Sequence, residues 1–221
     1  MTQIYFVRHA EAMGNVQEFF QGRTDCDLSE KGEKQLEFLS ERFKDIPIEK
    51  IYSSPLKRAY KTAEAVNKYH GLPITVVDDL IEIDGGVWEG KKWTENEKLY
   101  PEAYNDWKNR MWAFHVEGSE TMEQVYDRMK SAVAKIAEEN RGRTIAVVSH
   151  GCALRNYLAY AEFGDIKSLA EVGWSDNTAV SLVEYDDELN ARIIFKNESS
   201  HLPEELSTLA FSRWNKYDEK K

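Results

Sequence analysis

The sequence has few or none of the features that define several large protein classes. Its 221 residues include only two cysteines, Cys26 and Cys152, which lie in unrelated contexts and form no C-x-x-C pair. No disulfide framework is therefore expected. No apolar run approaches the length needed to span a bilayer, and the N-terminal MTQ leads into a short strand-like run rather than a signal peptide. We expect a cytoplasmic protein with no membrane partner.

The chain also has fewer basic residues than acidic ones. The chain has 29 Lys and Arg against 39 Asp and Glu, for a formal net charge of -10. This balance argues against general binding of nucleic acids, which requires a basic surface. A small anionic ligand remains compatible, because a few arginines in a pocket can set the local field. We expect a monomer or a homodimer.

Strands and helices alternate along the chain, which predicts an α/β fold with a mostly parallel sheet. Strands are predicted over 3–7, 48–53, 74–80 and 144–149, with a hairpin over 180–185 and 192–196. Helices are predicted after Ser29, at Pro55, after the capping-box sequence that begins at Thr121, over 151–160 and after Pro203.

No repeat, low-complexity tract or linker divides the chain, so we predict one domain over residues 1–221. The segment 84–118 begins with glycines and then becomes rich in aromatic residues. It predicts one or two helices that form a partial lid over an edge of the sheet.

Charged side chains follow each of the parallel strands. The first strand ends on Arg8 and His9, and Arg58 lies in the first turn of the helix after the second strand. Glu82 lies just past the third strand, and His150 directly follows the fourth. Because ligand sites in open α/β sheets form at the carboxyl ends of the strands, we expect these five side chains to meet at one edge.

These residue types suit phosphoryl transfer. Arginine forks match the geometry of a phosphoryl group, and an unprotonated histidine is a competent covalent nucleophile at neutral pH. The leaving alcohol needs a proton, which a partly desolvated carboxylic acid can supply. Glu82 has apolar and glycine neighbours that favour such desolvation. The second histidine can bind the transferring oxygens, and no metal or other cofactor is required.

Other phosphatase chemistries lack their residues. Neither cysteine is followed by an arginine six positions later, and Asp25-Cys26-Asp27 does not follow an apolar strand. The remaining histidines have no zinc-ligand spacing, and a Walker A loop is absent.

Five motifs in order give the chain a specific resemblance to a known family. They are Arg8-His9-Ala10-Glu11 with Asn15 and Gln21-Gly22, Leu28–Gln35, Ser53–Ala63, Glu82–Gly90 and Ser149-His150-Gly151. They resemble the histidine phosphatase superfamily, whose fold is the phosphoglycerate-mutase-like one. The resemblance implies a three-layer architecture with helices on both faces of the central sheet.

The resemblance also implies roles for individual residues. His9 would be the phosphohistidine nucleophile and Glu82 the proton donor, with Arg8, Arg58 and His150 as the other catalytic members of the phosphate pocket. Asn15, Gln21, Gly22 and Gly151 would support phosphate binding. The roles of Gln21, Thr62 and Ser53 stay open between the pocket and a structural function. The tryptophans and His201 are expected to be structural.

The segment after Glu82 separates two branches of this resemblance. It lacks the E-R-x-Y-G pattern of the glycolytic mutases and contains Trp88-Glu89-Gly90 instead. We therefore expect a metal-independent phosphomonoesterase that hydrolyses a small phosphorylated metabolite through a phosphohistidine. A phosphoglycerate mutase or phosphoryl transferase with the same site, and a non-catalytic module that binds a phosphorylated ligand, remain alternatives.

Overall fold

Six strands form one mixed sheet in the computed structural model, which describes residues 1–210. The strands are β1 (Thr2–Arg8), β2 (Lys50–Ser53), β3 (Ile74–Val76), β4 (Thr144–Ser149), β5 (Val180–Tyr185) and β6 (Ala191–Glu198), in the order β3-β2-β4-β1-β5-β6. Strands β1 to β4 run parallel, β5 is antiparallel to its neighbour β1, and β6 is antiparallel to β5 at the edge of the sheet. The predicted α/β class and mostly parallel sheet are confirmed.

Within residues 1–210, seven helices surround the sheet, and two of them begin at the predicted capping residues. They are α1 (Met13–Val16), α2 (Glu30–Phe43), α3 (Lys57–Asn67), α4 (Trp93–Leu99), α5 (Pro101–Asn109), α6 (Met122–Glu139) and α7 (Gly151–Phe163). The Ser29 side chain caps α2, and Thr121 forms the predicted capping box with Gln124. Gly32 in the first turn of α2 is explained by close packing, since a Cβ there would lie 2.1 Å from the Glu11 carbonyl oxygen.

Each face of the sheet has its own hydrophobic core. Because side chains alternate between the two faces along the central strands, Val7 and Val148 lie on one face and Phe6 and Val147 on the other. Helices α2 and α3 cover the first face, and α6 and α7 cover the second. This arrangement confirms the expected three layers and leaves the strand ends free to build a site.

The observed boundaries correct several predictions. The strand predicted over 74–80 ends at Val76, because β3 is an edge strand with a single neighbour and Asp78–Leu80 forms a 3₁₀ turn. Pro55 precedes α3, which begins at Lys57. After Pro203, the described residues contain only the 3₁₀ turn Glu204–Leu206. The rest of the predicted last helix lies outside the described residues.

The aromatic segment 84–118 contains the two short helices α4 and α5, in agreement with the prediction of one or two helices.

None of the helices within residues 1–210 has the length and hydropathy needed to cross a bilayer.

Candidate active site

Strand register brings the two site histidines together. β1 and β4 are parallel neighbours, and Arg8 lies opposite Ser149 at their carboxyl ends. The residues that directly follow these two strand ends are His9 and His150, and their ring centroids are 5.2 Å apart. Both side chains are buried. The sequence placed each at a strand end, and the register makes them neighbours.

A cavity of about 360 Å³ opens at this edge of the sheet. Of the predicted site residues, those that line it are Arg8, His9, Asn15, Gln21, Glu82 and Gly151. Arg58, His150 and Gly22 are buried and lie outside this lining. The aromatic side chains on the wall are Phe19, Phe20, Trp93, Trp107 and Trp174. The site thus combines a polar floor with an aromatic wall.

The tautomer of His9 follows from its hydrogen bond. Its Nδ1 lies 2.7 Å from the main-chain oxygen of Ala10. A carbonyl oxygen can only accept, so Nδ1 carries the proton and donates it. In the neutral ring, the lone pair is then on Nε2. His9 is in the protonation state that a histidine nucleophile requires.

His150 is held by a neighbouring strand end. Its Nε2 lies 2.7 Å from Ser54 Oγ, which follows β2. Its Nδ1 is buried and has no hydrogen-bond partner among the described residues. If Ser54 donates to Nε2, then Nδ1–H is left as a donor for an anionic group in the site.

Both histidines are kept neutral by their surroundings. Burial is the main cause that lowers the pKa of His9 well below 6.5, and the positive charges of Arg58 and Arg8 act in the same direction. The pKa of His150 is lowered in the same way by burial and by Arg58. Outside the site, burial and Arg42 lower the pKa of His201 to about 4.

These shifts predict that acid destabilises the fold well above the range in which carboxylates titrate. In the unfolded chain, His9, His150 and His201 take up protons near pH 6.5, whereas their lowered pKa values prevent this in the folded chain. The free energy of unfolding should be flat above about pH 6.5 and fall below it, with each histidine contributing up to about 1.4 kcal/mol per pH unit.

Urea denaturation between about pH 7.5 and pH 5 measures this slope. A His9→Gln variant should show a slope smaller by one proton, whereas His115→Gln, at an exposed position, should leave it unchanged. An unfolding free energy that stays constant down to about pH 5 would show that the buried histidines are not held neutral.

The two arginines organise the site in different ways. Arg58 donates to the main-chain oxygens of Gln21, Gly22 and Thr24 at 3.2, 2.8 and 2.8 Å, so it fixes the loop beside the cavity. Arg8 donates to the main-chain oxygen of Ser175. The Nε atoms of both arginines are buried and have no partner among the described residues. Buried donors in this state are suited to oxygens of a bound anion.

The Glu82 carboxyl lies at the start of α7. Its Oε1 accepts hydrogen bonds from the amides of Ile83 and Ala153 at 3.0 and 2.9 Å, and its Oε2 accepts one from Cys152 at 3.0 Å. Two carboxyl oxygens offer about four lone-pair positions. One position on Oε2 therefore remains for a proton.

The loop that carries Glu82 is fixed by a residue that the sequence analysis missed. Because β3 ends at Val76, Glu82 lies on a loop and not directly past a strand. Arg128 of α6 donates to the main-chain oxygens of Asp79, Ile81 and Glu82. Its sequence context, an arginine on an amphipathic helix, gave no signal of this contact.

The segment before β5 was also missed, although a signal for it exists. β5 is antiparallel to β1, so its amino end lies at the same edge as the carboxyl ends of the parallel strands. Asp176 and Asn177 precede it; Asn177 lines the cavity and donates to the His9 main-chain oxygen at 2.8 Å. An antiparallel strand inserted beside β1 makes the residues before it candidates as well.

The structure locates each residue whose role the sequence left open between the pocket and a structural function. Gln21 lines the cavity, whereas Thr62 and Ser53 are fully buried. Trp88 is a core residue, as expected, but three other tryptophans line the cavity. His201 contacts Thr178 at 3.1 Å and lies outside the cavity lining.

No group of three or more His, Cys, Asp or Glu side chains suited to a metal occurs within residues 1–210.

Comparisons with known proteins found a family model, relatives and solved structures that match this chain. Residues 4–197 match the family model of the histidine phosphatase superfamily (branch 1). Phosphoserine phosphatase 1 of Hydrogenobacter thermophilus is 32% identical over 92% of this chain and 96% of its own length. The metal-independent phosphoserine phosphatase of Arabidopsis thaliana is 33% identical over 85% of this chain and 78% of its own. The solved structure of Bacillus stearothermophilus YhfR is 29% identical, has a TM-score of 0.85 and covers 91% of this chain and 99% of that one.

Proposed function

Since this chain belongs to the histidine phosphatase superfamily, we propose that it hydrolyses a small phosphorylated metabolite without a metal, through a phosphohistidine on His9. The observation that carries this proposal is the state of His9. Its imidazole is neutral at pH 7, and its Nδ1 is bound to a carbonyl oxygen. Its Nε2 therefore carries a lone pair, and the residue lies at the surface of a cavity that contains Arg8.

In the first step, His9 Nε2 attacks the phosphorus atom of the ester. The N–P bond forms as the P–O bond to the leaving alcohol breaks, and a proton on Glu82 Oε2 passes to that oxygen. Arg8, Arg58 and His150 stabilise the charge on the transferring oxygens. The buried, unpartnered nitrogens of these three residues support this assignment.

In the second step, water attacks the phosphorus atom and the N–P bond breaks. The carboxylate of Glu82 takes the proton of the water, and inorganic phosphate leaves. Neutral His9 and protonated Glu82 are restored, so the cycle needs no further reactant. In this scheme Asn15, Gln21, Gly22 and Gly151 shape the phosphate pocket.

We take residues 1–221 as one domain, with segment 84–118 as a partial lid; Trp93 and Trp107 of this segment line the cavity. The two cysteines are free, which fits a reducing cytoplasm. The protein would act as a monomer or homodimer.

Hydrolysis of a panel of phosphomonoesters in excess EDTA tests this function. The panel should include phosphoserine, because relatives bear that name, and 3-phosphoglycerate, because phosphoglycerate mutase-like protein 4 of Arabidopsis thaliana is 31% identical. Release of inorganic phosphate that EDTA does not change is the expected result. Isomerised phosphoglycerate without phosphate release would favour a mutase, and binding without turnover of any ester would favour a non-catalytic module.

A further inference from the structure

The peptide group between His9 and Ala10 is held at both of its ends by buried side chains. Its carbonyl oxygen accepts a hydrogen bond from Asn177 Nδ2 at 2.8 Å, and its amide nitrogen donates to Thr62 Oγ1 at 2.9 Å. In a trans peptide the C=O and N–H bonds point in opposite directions. We propose that Asn177 and Thr62 are positioning residues that together fix this peptide plane and thereby orient the His9 imidazole.

The peptide plane is coupled to the imidazole through Ala10, whose carbonyl oxygen belongs to the next peptide group, the one whose Glu11 amide donates to Gln35 Oε1 at 2.8 Å. His9 Nδ1 donates to the main-chain oxygen of Ala10, and the amide of Ala10 donates to Thr62 Oγ1. Because the two peptide groups share the Ala10 Cα, a rotation of the first would displace Ala10 and its oxygen and weaken the bond that selects the Nδ1–H tautomer. Nε2 would then lose both its direction and part of its lone-pair population. The inference rests on the proposed function, since it takes His9 as the nucleophile.

Thr62 is fixed in the orientation that this role needs. Its side chain is fully buried, and its hydroxyl donates to the main-chain oxygen of Arg58, one helical turn earlier, at 2.7 Å. With its proton committed there, the hydroxyl oxygen presents a lone pair to the Ala10 amide. Thr62 therefore links the turn that carries His9 to the helix that carries Arg58.

Asn177 is fixed equally well. Its side chain is 1% exposed, and its amide group must direct NH₂ at His9 because a carbonyl oxygen accepts only. Its Oδ1 lies 2.7 Å from the Thr208 hydroxyl, whose single proton is shared with Asp176 Oδ1 at 2.6 Å, and its main-chain amide donates to the same hydroxyl at 3.3 Å. The side chain is thus held from the side opposite to His9.

The residue after Asn177 has a strained backbone. Thr178 has φ of 60°, a left-handed conformation that is rare for a β-branched residue, and its amide donates to the Arg8 main-chain oxygen at 3.1 Å. Such strain persists only where the surroundings impose it, and it is common at functional sites. Here it holds the segment before β5 against Arg8, the last residue of β1, and against His9, whose main-chain oxygen also lies 3.4 Å from the Thr178 amide.

Matched substitutions at Thr62 separate a positioning role from simple structural support. Thr62→Val keeps the shape and removes the hydroxyl, whereas Thr62→Ser keeps the hydroxyl and removes the methyl group. With p-nitrophenyl phosphate, Thr62→Val should lower kcat/KM by about 10- to 100-fold, because a small misplacement of a reacting group has this effect. Thr62→Ser should keep nearly all of kcat/KM, and Asn177→Leu should resemble Thr62→Val. Equal losses in the valine and serine variants would overturn the proposal.

Nitrogen-15 NMR of the histidine side chains gives a readout that does not depend on activity. The His9 signals are assigned from their absence in a His9→Ala spectrum. The wild type and Thr62→Val should differ, with a single Nδ1–H tautomer in the former and a mixture of tautomers in the latter, and Thr62→Ser should resemble the wild type. This pattern in a protein that hydrolyses no phosphomonoester would refute the proposed function and support the positioning role. An active protein whose His9 tautomer is unchanged in Thr62→Val would refute the positioning role alone.

Discussion

Replacement of His9 by alanine is expected to lower kcat/KM for every phosphomonoester substrate by about 10⁴-fold or more. The reason is that the substitution removes the only atom assigned to form the bond to phosphorus, the Nε2 atom of His9. Water would have to attack the ester directly, without the covalent intermediate. Because the cations are retained, His9→Ala should still bind inorganic phosphate, which a rise in Tm with added phosphate would report.

The matched control for this experiment is His115→Ala. His115 is exposed and its contact is with Ser119, four residues along the chain, so its replacement should leave kcat/KM within about twofold of the wild type. Activity of His9→Ala within tenfold of the wild type would assign the nucleophile to another residue.

Replacement of Glu82 by glutamine should have an effect that depends on the leaving group. For an alkyl phosphate such as phosphoserine, kcat/KM should fall by about 10²- to 10⁴-fold, because the departing alkoxide needs a proton. For p-nitrophenyl phosphate the fall should be less than about tenfold, because p-nitrophenolate is stable without one. The ratio kcat/KM is the correct quantity, since it reports the step in which the ester bond breaks.

This substrate dependence separates lost acid catalysis from structural damage. Glutamine has one acceptor oxygen in place of two, so one of the amides at Ile83, Cys152 or Ala153 loses its partner at a cost of about 1–3 kcal/mol. Such damage would affect all substrates alike. Glu95→Gln, at an exposed position on α4, serves as the control with no expected change. Equal losses for both esters in Glu82→Gln would remove Glu82 from the role of proton donor.

The sequence was sufficient for those site residues whose position depends on local signals. His9 and His150 follow short apolar runs of β-favouring residues that predict buried strands, and Arg58 follows β2 by a short turn. These signals are local, because the residue types at a strand end or a helix start favour that boundary without any distant contact. The parallel order of the strands then brings the three residues to one edge.

Residues that act through long-range contacts could not be predicted in this way. Arg128 reaches the Glu82 loop 46 positions away, and Asn177 reaches His9 168 positions away. Nothing in the local pattern of either residue reports its partner. The length of β3 was misjudged for a related reason, since Val77 has strand-forming character but the edge strand has no second neighbour to extend it.

The aromatic wall is a third case in which local pattern was insufficient. Trp107 is 5% exposed and belongs to the core by burial, yet it also lines the cavity. Trp174 lies in the loop before β5 and outside the aromatic segment 84–118. Sequence alone could not assign these side chains to a cavity wall, because that assignment depends on how α4, α5 and the loop before β5 pack together.

Identification of the phosphorylated atom would decide whether His9 is the nucleophile. The enzyme would be mixed with a ³²P-labelled phosphomonoester, quenched in alkali within one turnover, digested and mapped by mass spectrometry, with ³¹P NMR to identify the N–P linkage. One phosphoryl group is expected on His9 Nε2, which is the nitrogen left with the lone pair when Nδ1 donates to Ala10. A phosphoryl group on His150, on Nδ1 of His9 or on an oxygen or sulfur atom would contradict this assignment, as would turnover with no covalent intermediate.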